Sequence, residues 1–191
     1  MSNLKGTKTE KNLLKSFAGE SQARNRYTFF ASQAAKDGYK QIESIFLETA
    51  RNEKEHAELF FKFLPGGTLE ITDSFPAGKI GNTEENLKAA AEGENEEHTN
   101  FYPEFEKTAR EEGFSEIATA FEEIAEVEEE HEKRFLALLN NLQEGKVFER
   151  EEEQEWKCGN CGYVHTGKKA PEKCPACLHD QKYFRIKETN Y

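Results

Sequence analysis

The sequence predicts an all-α four-helix bundle with one long crossover connection, followed by a small C-terminal domain organised around four cysteines. Three observations predict this architecture. Apolar residues recur at helical spacing up to about Leu142, two parts of the chain share an internal repeat, and all four cysteines lie between Cys158 and Cys177. The composition changes after Gly145, so we assign residues 1–146 to the helical domain and residues 147–191 to the cysteine domain.

Turn signals at Asp37-Gly38, Pro65-Gly66-Gly67 and Glu112-Gly113 divide the helical domain into four predicted helices. They run from near Thr9 to Lys36, from Tyr39 to Leu64, from near Thr83 to Glu111, and from Ser115 to about Asn141, with Thr83 and Ser115 as expected N-caps. The connection PGGTLEITDSFPAGKIGN is far longer than an antiparallel hairpin requires. It therefore allows the third helix to start at the opposite end of the bundle.

The charge balance restricts the possible partners. A net charge of -11, from 26 Lys and Arg against 37 Asp and Glu, disfavours nucleic acid and anionic membranes and favours metal cations. The first residues, MSNLKGTKTEKN, lack the apolar run of a signal peptide, and no stretch approaches the roughly 20 apolar residues of a membrane span. The cysteines form two CxxC pairs, which is typical of metal ligands in a reducing compartment. We expect a soluble cytoplasmic protein.

The internal repeat relates the two halves of the helical domain. Seven residues recur 75 positions later: Gly38, Ile42, Phe46, Ala50, Glu53, His56 and Phe60 match Gly113, Ile117, Phe121, Ala125, Glu128, His131 and Phe135. Upstream, Gly19-Glu20 matches Gly93-Glu94 at an offset of 74, whereas Tyr27 matches Tyr102 at 75. One residue is therefore inserted between Glu94 and Tyr102.

Carboxylates and histidines interrupt the apolar stripes of all four predicted helices. Buried carboxylates are costly unless they are paired or bound to metal, and several in one core would repel each other. Residues three apart share a helix face, so each Glu-x-x-His pair can present one oxygen and one nitrogen to an ion. This mixed ligation suits iron or manganese. The candidate ligands are Glu20, Glu53, His56, Glu94, Glu97, Glu128 and His131.

Not every acidic or aromatic residue of these helices belongs to the predicted site. A single Glu-x-x-His in a Glu-rich helix is common; two copies in register within a repeat are what favour metal binding. We expect six other glutamates to face solvent: Glu122, Glu123, Glu126, Glu129, Glu130 and Glu132. Tyr27 and Tyr102 either pack in the core or orient a ligating carboxylate, and the sequence leaves both roles open.

The third helix is predicted to be irregular. Pro103 removes a backbone hydrogen bond inside this helix, and the inserted residue adds a mismatch in the same region. Together they predict a π-bulge near Glu97. Our hypothesis is that this bulge brings Glu97 to the metals as an extra ligand and makes the two metal positions unequal.

The cysteine domain reads WKCGNCGYVHTGKKAPEKCPACLHDQKYFRI from Trp156. Four thiolates in two short loops predict a tetrahedral all-sulfur site for iron or zinc. Spacing alone leaves open a zinc ribbon with a purely structural role.

The motifs of both domains resemble one family. CGNCGY followed by CPAC, with Trp156, Tyr163 and Phe184, is similar to the iron module of rubredoxins. The preceding repeat, with its two Glu-x-x-His motifs and Glu97, resembles the ferritin-like domain of rubrerythrins. Taken together, the order, length and motifs of the two domains are similar to this family over essentially the whole chain. The resemblance implies that Glu20, Glu53, Glu94, Glu97, Glu128 and His131 bind two irons, with His56 ligating one of them in the reduced state, and that Cys158, Cys161, Cys174 and Cys177 bind a single iron in a rubredoxin-like β/loop domain.

This resemblance also implies an activity. The expected enzyme is a non-haem di-iron peroxidase that reduces hydrogen peroxide to water and protects against oxidative stress. Its electrons would come from NADH through external carriers, a rubredoxin or a reductase, and would pass between the subunits of a homodimer. Two other classes remain: a ferroxidase or iron-storage protein, and a structural or electron-transfer module without turnover. Zinc could also replace iron in the cysteine site.

The ligands are expected to have different roles. Glu53 and Glu128 would bridge the irons, while Glu20, Glu94 and His131 would be terminal ligands. Glu97 and His56 would exchange at one iron, since an anion favours the ferric ion and a neutral imidazole favours the ferrous ion.

Overall fold

The helices form the bundle that the sequence predicts. The structure, a computed structural model, describes residues 3–190. Its helical elements are α1 (Lys8–Asp37), α2 (Lys40–Phe63), α3 (Thr83–Glu96), a π-helical turn (Glu97–Phe101), α4 (Tyr102–Glu111) and α5 (Ser115–Gln143). Helix α1 packs mainly against α2, and α5 packs against α3 and α4. The crossover, residues 64–82, contains no helix or strand. The predicted four-helix fold with one long crossover is confirmed.

The expected N-caps of the third and fourth helices were wrong by one residue. Asn82 caps α3, because its side chain accepts a hydrogen bond from the Glu85 backbone N–H and its own backbone N–H donates to the Glu85 carboxylate. Thr83 is instead the first helical residue. Phe114 precedes α5 without a side-chain cap, and Ser115 is again the first helical residue.

Two carboxylates join the ends of non-adjacent helices in a repeated arrangement. The Thr83 backbone N–H and hydroxyl both donate to Asp37 Oδ2, at 2.9 and 2.6 Å. The Thr9 backbone N–H and hydroxyl donate to Glu112 Oε2 at the same two distances. The repeat therefore creates equivalent links at the N-terminus of α3 and at the N-terminus of α1, which fix how the two helical hairpins face each other.

Two aromatic clusters fill the core on either side of the candidate ligands. In one cluster, the rings of Tyr27, Phe46 and Phe135 lie 5.2 to 6.0 Å apart. In the other, their repeat equivalents Tyr102, Phe121 and Phe60 lie 5.1 to 5.9 Å apart. All six side chains are buried. The repeat thus builds two similar apolar clusters that enclose a polar layer.

The C-terminal domain is a small antiparallel sheet. It contains β1 (Glu149–Cys158), β2 (Val164–Lys169), a 3₁₀ turn (Gln181–Tyr183) and β3 (Phe184–Ile186), in the strand order β2-β1-β3. The charged stretch before Trp156 belongs to the central strand β1, with an irregular register between Glu149 and Gln154. Residues 154–158 pair with β2 or β3, whereas the glutamates between Glu149 and Gln154 lie where the register is interrupted. The boundary that we propose at residues 146/147 falls between α5 and β1.

The cysteine domain contacts the helical domain at the start of α2. The rings of Tyr39 and Phe148 stack at 6.2 Å, and Lys40 Nζ lies 5.9 Å from the centre of the Tyr183 ring. Within residues 3–190, no helix is both long and apolar enough to cross a membrane.

Candidate metal centres

The helical domain brings potential ligand atoms together in two overlapping groups. One group contains Glu20, Glu53, His56 and Glu128, and the other contains Glu53, Glu94, Glu128 and His131, with the ligand atoms of each group within 4.8 Å of one another. Glu53 and Glu128 belong to both groups. Each group therefore offers three carboxylates and one imidazole, and two carboxylates lie where they could join two ions.

Unpaired polar atoms show that these side chains fit metal ions. His56 Nδ1 lies 2.9 Å from Glu128 Oε1, and His131 Nδ1 lies 2.7 Å from Glu128 Oε2. None of these atoms has a hydrogen-bond partner within residues 3–190, and neither does either carboxylate oxygen of Glu53. Close atoms that do not point at one another are expected where lone pairs converge on a shared ion. Leaving so many buried polar atoms unpaired would otherwise be costly.

The charges of the ligands also match two cations. Together the two groups contain four carboxylates, and all are almost completely buried: Glu20, Glu53, Glu94 and Glu128. Burial, reinforced by the charges of neighbouring glutamates, raises the pKa of Glu20 and Glu94 well above the usual range. Two divalent ions would neutralise four carboxylates, which removes the repulsion that raises these pKa values. The site thus fits the di-iron cofactor.

Carboxylates of the site also raise the pKa of the two histidines. Burial alone would lower the pKa of His56 and His131, but the adjacent carboxylates of Glu128 and Glu53 outweigh burial and raise the pKa to about 10 and about 9. The imidazoles must lose these protons before Nδ1 can bind a metal.

Both tyrosines contact a candidate ligand. The Tyr27 hydroxyl donates to Glu94 Oε1 at 2.5 Å, and the Tyr102 hydroxyl donates to Glu20 Oε1. Each tyrosine also packs in an aromatic cluster, so the two roles left open by the sequence coexist in each side chain. Burial and nearby carboxylates raise the pKa of both phenols, which keeps the hydroxyls protonated as donors.

The predicted π-bulge is confirmed, but Glu97 lies outside both ligand groups. The π-helical turn begins at Glu97, and the Tyr102 backbone N–H donates to the Glu97 carbonyl. Pro103 follows as the second residue of α4, directly after the π-helical turn. The Glu97 side chain is half-buried and lines a cavity beside the site. Burial and the charges of Glu128 and Glu53 raise its pKa.

One contact near the site was not predicted from the sequence. Glu132, expected to face solvent, is half-buried and its Oε2 lies 2.6 Å from His98 Nε2 in the π-helical turn. The other five glutamates of that group are exposed, as expected. His98 has no equivalent in the repeat, because it lies beside the inserted residue, and so the repeat gave no indication of this pair.

The four cysteines form the second centre. The sulfur atoms of Cys158 and Cys177 lie 3.8 Å apart, and those of Cys161 and Cys174 lie 3.6 Å apart. Four sulfurs at about 2.3 Å from a central ion, placed tetrahedrally, would be about 3.8 Å apart. The geometry therefore fits a tetrahedral metal site and matches the rubredoxin-type iron.

Hydrogen bonds and packed rings hold the cysteine site in place. A backbone N–H from His179 is the main reason that the pKa of Cys177 is lowered to about 6. The Tyr163 backbone N–H lowers the pKa of Cys161, but hydrogen bonds with the other three cysteines outweigh it and raise this pKa to about 12. The buried Trp156 indole donates to the Gly167 carbonyl at 2.9 Å and packs with Phe184. Cys161 is exposed, so one edge of this site is open to solvent.

Comparisons with known proteins agree with both centres. The family model described as Rubrerythrin matches residues 11–139, and the model described as Rubrerythrin, rubredoxin-like domain matches residues 156–185. A rubrerythrin of Porphyromonas gingivalis is 65% identical over 98% of this chain and 94% of its own. The rubrerythrin of Nitratidesulfovibrio vulgaris is 56% identical over 100% of both chains.

Solved structures show the same similarity. Fully reduced, all-ferrous nigerythrin has a TM-score of 0.64 at 30% identity and covers 97% of this chain and 92% of its own. The bacterioferritin BfrA of Mycobacterium tuberculosis has the same TM-score at 20% identity, covering 75% of this chain and 90% of its own. The second likeness concerns the fold alone.

Proposed function

Because the chain belongs to the rubrerythrin family, we propose that it is a non-haem di-iron peroxidase that reduces hydrogen peroxide to water. One observation carries this proposal: a single chain holds both a two-ion carboxylate site and a four-thiolate site. Two ferrous ions in the first site would supply the two electrons needed to cleave one O–O bond. Iron in the second site would return these electrons to the first, one at a time. Iron storage alone gives no role to the cysteine domain.

The ligand groups support distinct roles for the chain's residues. We assign the bridging positions to Glu53 and Glu128, since both belong to each group, and terminal positions to Glu20, Glu94 and His131. Tyr27 and Tyr102 hold two of these carboxylates in place through their hydroxyl hydrogen bonds. These links keep the terminal ligands oriented when the charge of the site changes.

We further propose that Glu97 and His56 exchange as ligands at one iron. In the structure His56 belongs to a ligand group, whereas Glu97 stands apart beside the cavity. This arrangement has four carboxylates for two ions, as two ferrous ions require. The greater charge of two ferric ions would favour a fifth carboxylate. Identical ligands in crystals of the oxidised and reduced protein would refute the exchange.

The separation of the two centres supports a homodimer. The cysteine domain contacts α2 at Lys40, whereas Glu53 lies 13 residues further along the helix. At 1.5 Å per residue this is about 20 Å. Electron transfer weakens steeply with distance, so we propose that the cysteine iron of one subunit serves the di-iron site of a second. Reduction would come from NADH through a rubredoxin or a reductase in the cytoplasm, a compartment where the four free thiols would persist.

A single-turnover experiment tests the function. The anaerobically reduced, iron-loaded protein is mixed with one equivalent of hydrogen peroxide or of oxygen, and oxidation of each iron centre is followed by its visible absorption. We expect peroxide to oxidise the di-iron site faster than oxygen, with the cysteine iron following. A preference for oxygen would favour ferroxidase activity, and no reaction with either oxidant would favour a structural or electron-carrying role.

A further inference from the structure

A cavity of about 530 Å³ adjoins the di-iron site and is much larger than hydrogen peroxide requires. Glu97 and Tyr102 line it, and Tyr102 contacts the candidate ligand Glu20. A water molecule occupies about 30 Å³ in the liquid, and hydrogen peroxide has only one more oxygen atom. The cavity therefore has room for a substrate with an organic body.

One side of the cavity is aromatic. Phe101 and Phe105 stack with ring centres 6.3 Å apart, and Phe75 of the crossover also lines the cavity. Phe75 and Phe101 remain 37% and 39% exposed, so the bundle does not bury them by itself. Exposed aromatic faces lining a concave site are typical of pockets for small organic molecules.

The part of the cavity lined by α1 carries buried polar atoms that lack hydrogen-bond partners within the described residues. Ser16 Oγ, Gln22 Oε1 and Arg26 Nε belong to residues that line the cavity, and none has a hydrogen-bond partner among residues 3–190. The Ser16 side chain is the most enclosed, with 4% of the residue exposed. The atoms are buried although their residues line the cavity, so a ligand would reach them after a side-chain rotation. They comprise a donor, an acceptor and a hydroxyl that can be either.

The charges of the lining disfavour an anionic ligand. Lys15 is already paired with Asp73 at 3.0 Å, and Arg26 interacts electrostatically with Glu97. Both cations of the described lining are therefore already engaged, and a carboxylate or phosphate ligand would have no hydrogen to donate to Gln22 Oε1. A neutral molecule with a hydroperoxide group and an apolar body satisfies both sides of the cavity.

We propose that this cavity binds small organic hydroperoxides, with the organic group against the phenylalanines and the peroxide group toward Glu97 and Tyr102. The proposal rests on the peroxidase function above and extends its substrate class. In the reaction ROOH + 2e⁻ + 2H⁺ → ROH + H₂O, the O–O bond breaks. The two electrons come from the ferrous pair and the two protons from solvent.

A second cavity near the site provides a control. It measures about 540 Å³, reaches His131 between α2 and α5, and is lined mainly by charged or polar side chains. Val127 is its single apolar lining residue. An organic body has no apolar surface to contact there, so Val127→Phe should not affect organic ligands.

Gly19 allows the first cavity to be filled without changing a ligand. A Cβ built on this helical glycine meets no atom within 4 Å, so Gly19→Leu places its side chain in open space along the cavity wall. Leucine also favours the helix over glycine, so folding should not suffer. Phe75→Ala is an independent variant, because it removes one aromatic wall from the crossover and leaves the helices intact.

The first measurement is binding of cumyl alcohol, the unreactive product of cumene hydroperoxide, to the oxidised iron-loaded protein by calorimetry. We expect binding to the unmodified protein and to Val127→Phe. We expect it to weaken by about tenfold or more in Gly19→Leu and to weaken in Phe75→Ala. Steady-state kcat/KM for cumene hydroperoxide should fall in parallel, while that for hydrogen peroxide stays within about twofold.

Several outcomes would overturn the proposal. These are no binding of cumyl alcohol, equal losses with both peroxides in Gly19→Leu, or an equal effect of Val127→Phe. If Gly19-dependent binding is found but neither peroxide is reduced, the proposed peroxidase function fails and turnover of hydroperoxides fails with it, whereas the binding site stands.

Discussion

Removing the repeated links at the two ends of α1 should destabilise the bundle by equal and additive amounts. Asp37 accepts hydrogen bonds from the backbone and hydroxyl of Thr83, and Glu112 does the same for Thr9. Each carboxylate satisfies a backbone N–H that the first turn of a helix cannot. We therefore expect Asp37→Ala and Glu112→Ala to act as the loss of a helix cap.

The magnitude follows from helix capping. Loss of such a cap costs about 1 kcal/mol, and 1 kcal/mol lowers the melting temperature of a domain of this size by about 2–4 °C. Helix α1 has 30 residues, so the links lie about 45 Å apart. Sites so distant should add, and the double variant should lose about 2 kcal/mol, or about 4–8 °C.

The pH dependence has a definite sign. Burial would raise the pKa of Asp37 and Glu112, but the hydrogen bonds from Thr83 and Thr9 outweigh burial and lower it. A carboxylate with a lowered pKa stabilises the fold above its unfolded pKa, about 3.8 for Asp37, and this stabilisation is lost as the pH falls through the folded value. The difference between the original chain and Asp37→Ala should therefore be full at pH 7 and shrink below about pH 4.

The assay is thermal unfolding of the metal-loaded protein, followed by circular dichroism at one scan rate. Glu111→Ala is the matched control, since Glu111 neighbours Glu112 and is exposed. We expect no loss of stability in this control. Unchanged melting temperatures in both single variants, or a double variant that departs from additivity by more than about 0.5 kcal/mol, would refute the reasoning.

Three further predictions concern the two metal centres. Phe184→Ala should cost about 3–5 kcal/mol in the small cysteine domain, because this buried ring packs in its core; fluorescence of the single tryptophan should change at a lower temperature while the helical signal stays unchanged, and a common loss of both signals would contradict this. Loading metal at pH 7 should release protons, because the pKa of His56 and His131 is raised to about 10 and about 9 in their absence. Calorimetry in buffers of different ionisation enthalpy measures this release, and the metal-free protein should lose stability as the pH rises from about 6.5 through these values; buffer-independent heats would show that the prediction is wrong. Tyr27→Phe and Tyr102→Phe should each cost about 1.5–3 kcal/mol, since each removes a hydrogen bond to a buried carboxylate. Thermal unfolding checks this cost, and clearly unequal losses would show that the repeat does not make the two contacts equivalent.

The repeat explains why so much of the helical domain could be predicted. Phe46, Phe60, Phe121 and Phe135 recur at one offset, and in the structure they form two equivalent aromatic clusters. Helix ends were predicted to within a few residues because glycine and proline mark them. The N-cap of α3 was displaced by one residue because the Thr83 hydroxyl donates to Asp37, a partner far away in the sequence, and Asn82 caps the helix instead.

The cysteine domain shows where sequence patterns fail. The spacing of the cysteines indicated a metal site, but β1 contains a run of glutamates that no strand propensity would select. The end of β1 is held by pairing with β2, which follows after a short loop, and with β3, where Trp156 pairs with the remote Ile186. A pattern within one segment does not contain this information.

The sequence by itself determined which residues meet in the polar layer, because helical periodicity places them on one face and the repeat places the two halves in register. It also indicated the π-helical turn, since one inserted residue must be accommodated within a helix. The tertiary structure decided the grouping of the ligands: His56 joins Glu20, His131 joins Glu94, and Glu97 stands apart beside a cavity. That distinction depends on distances between helices and on a crossover that covers one side of the bundle, and periodicity within a helix specifies neither.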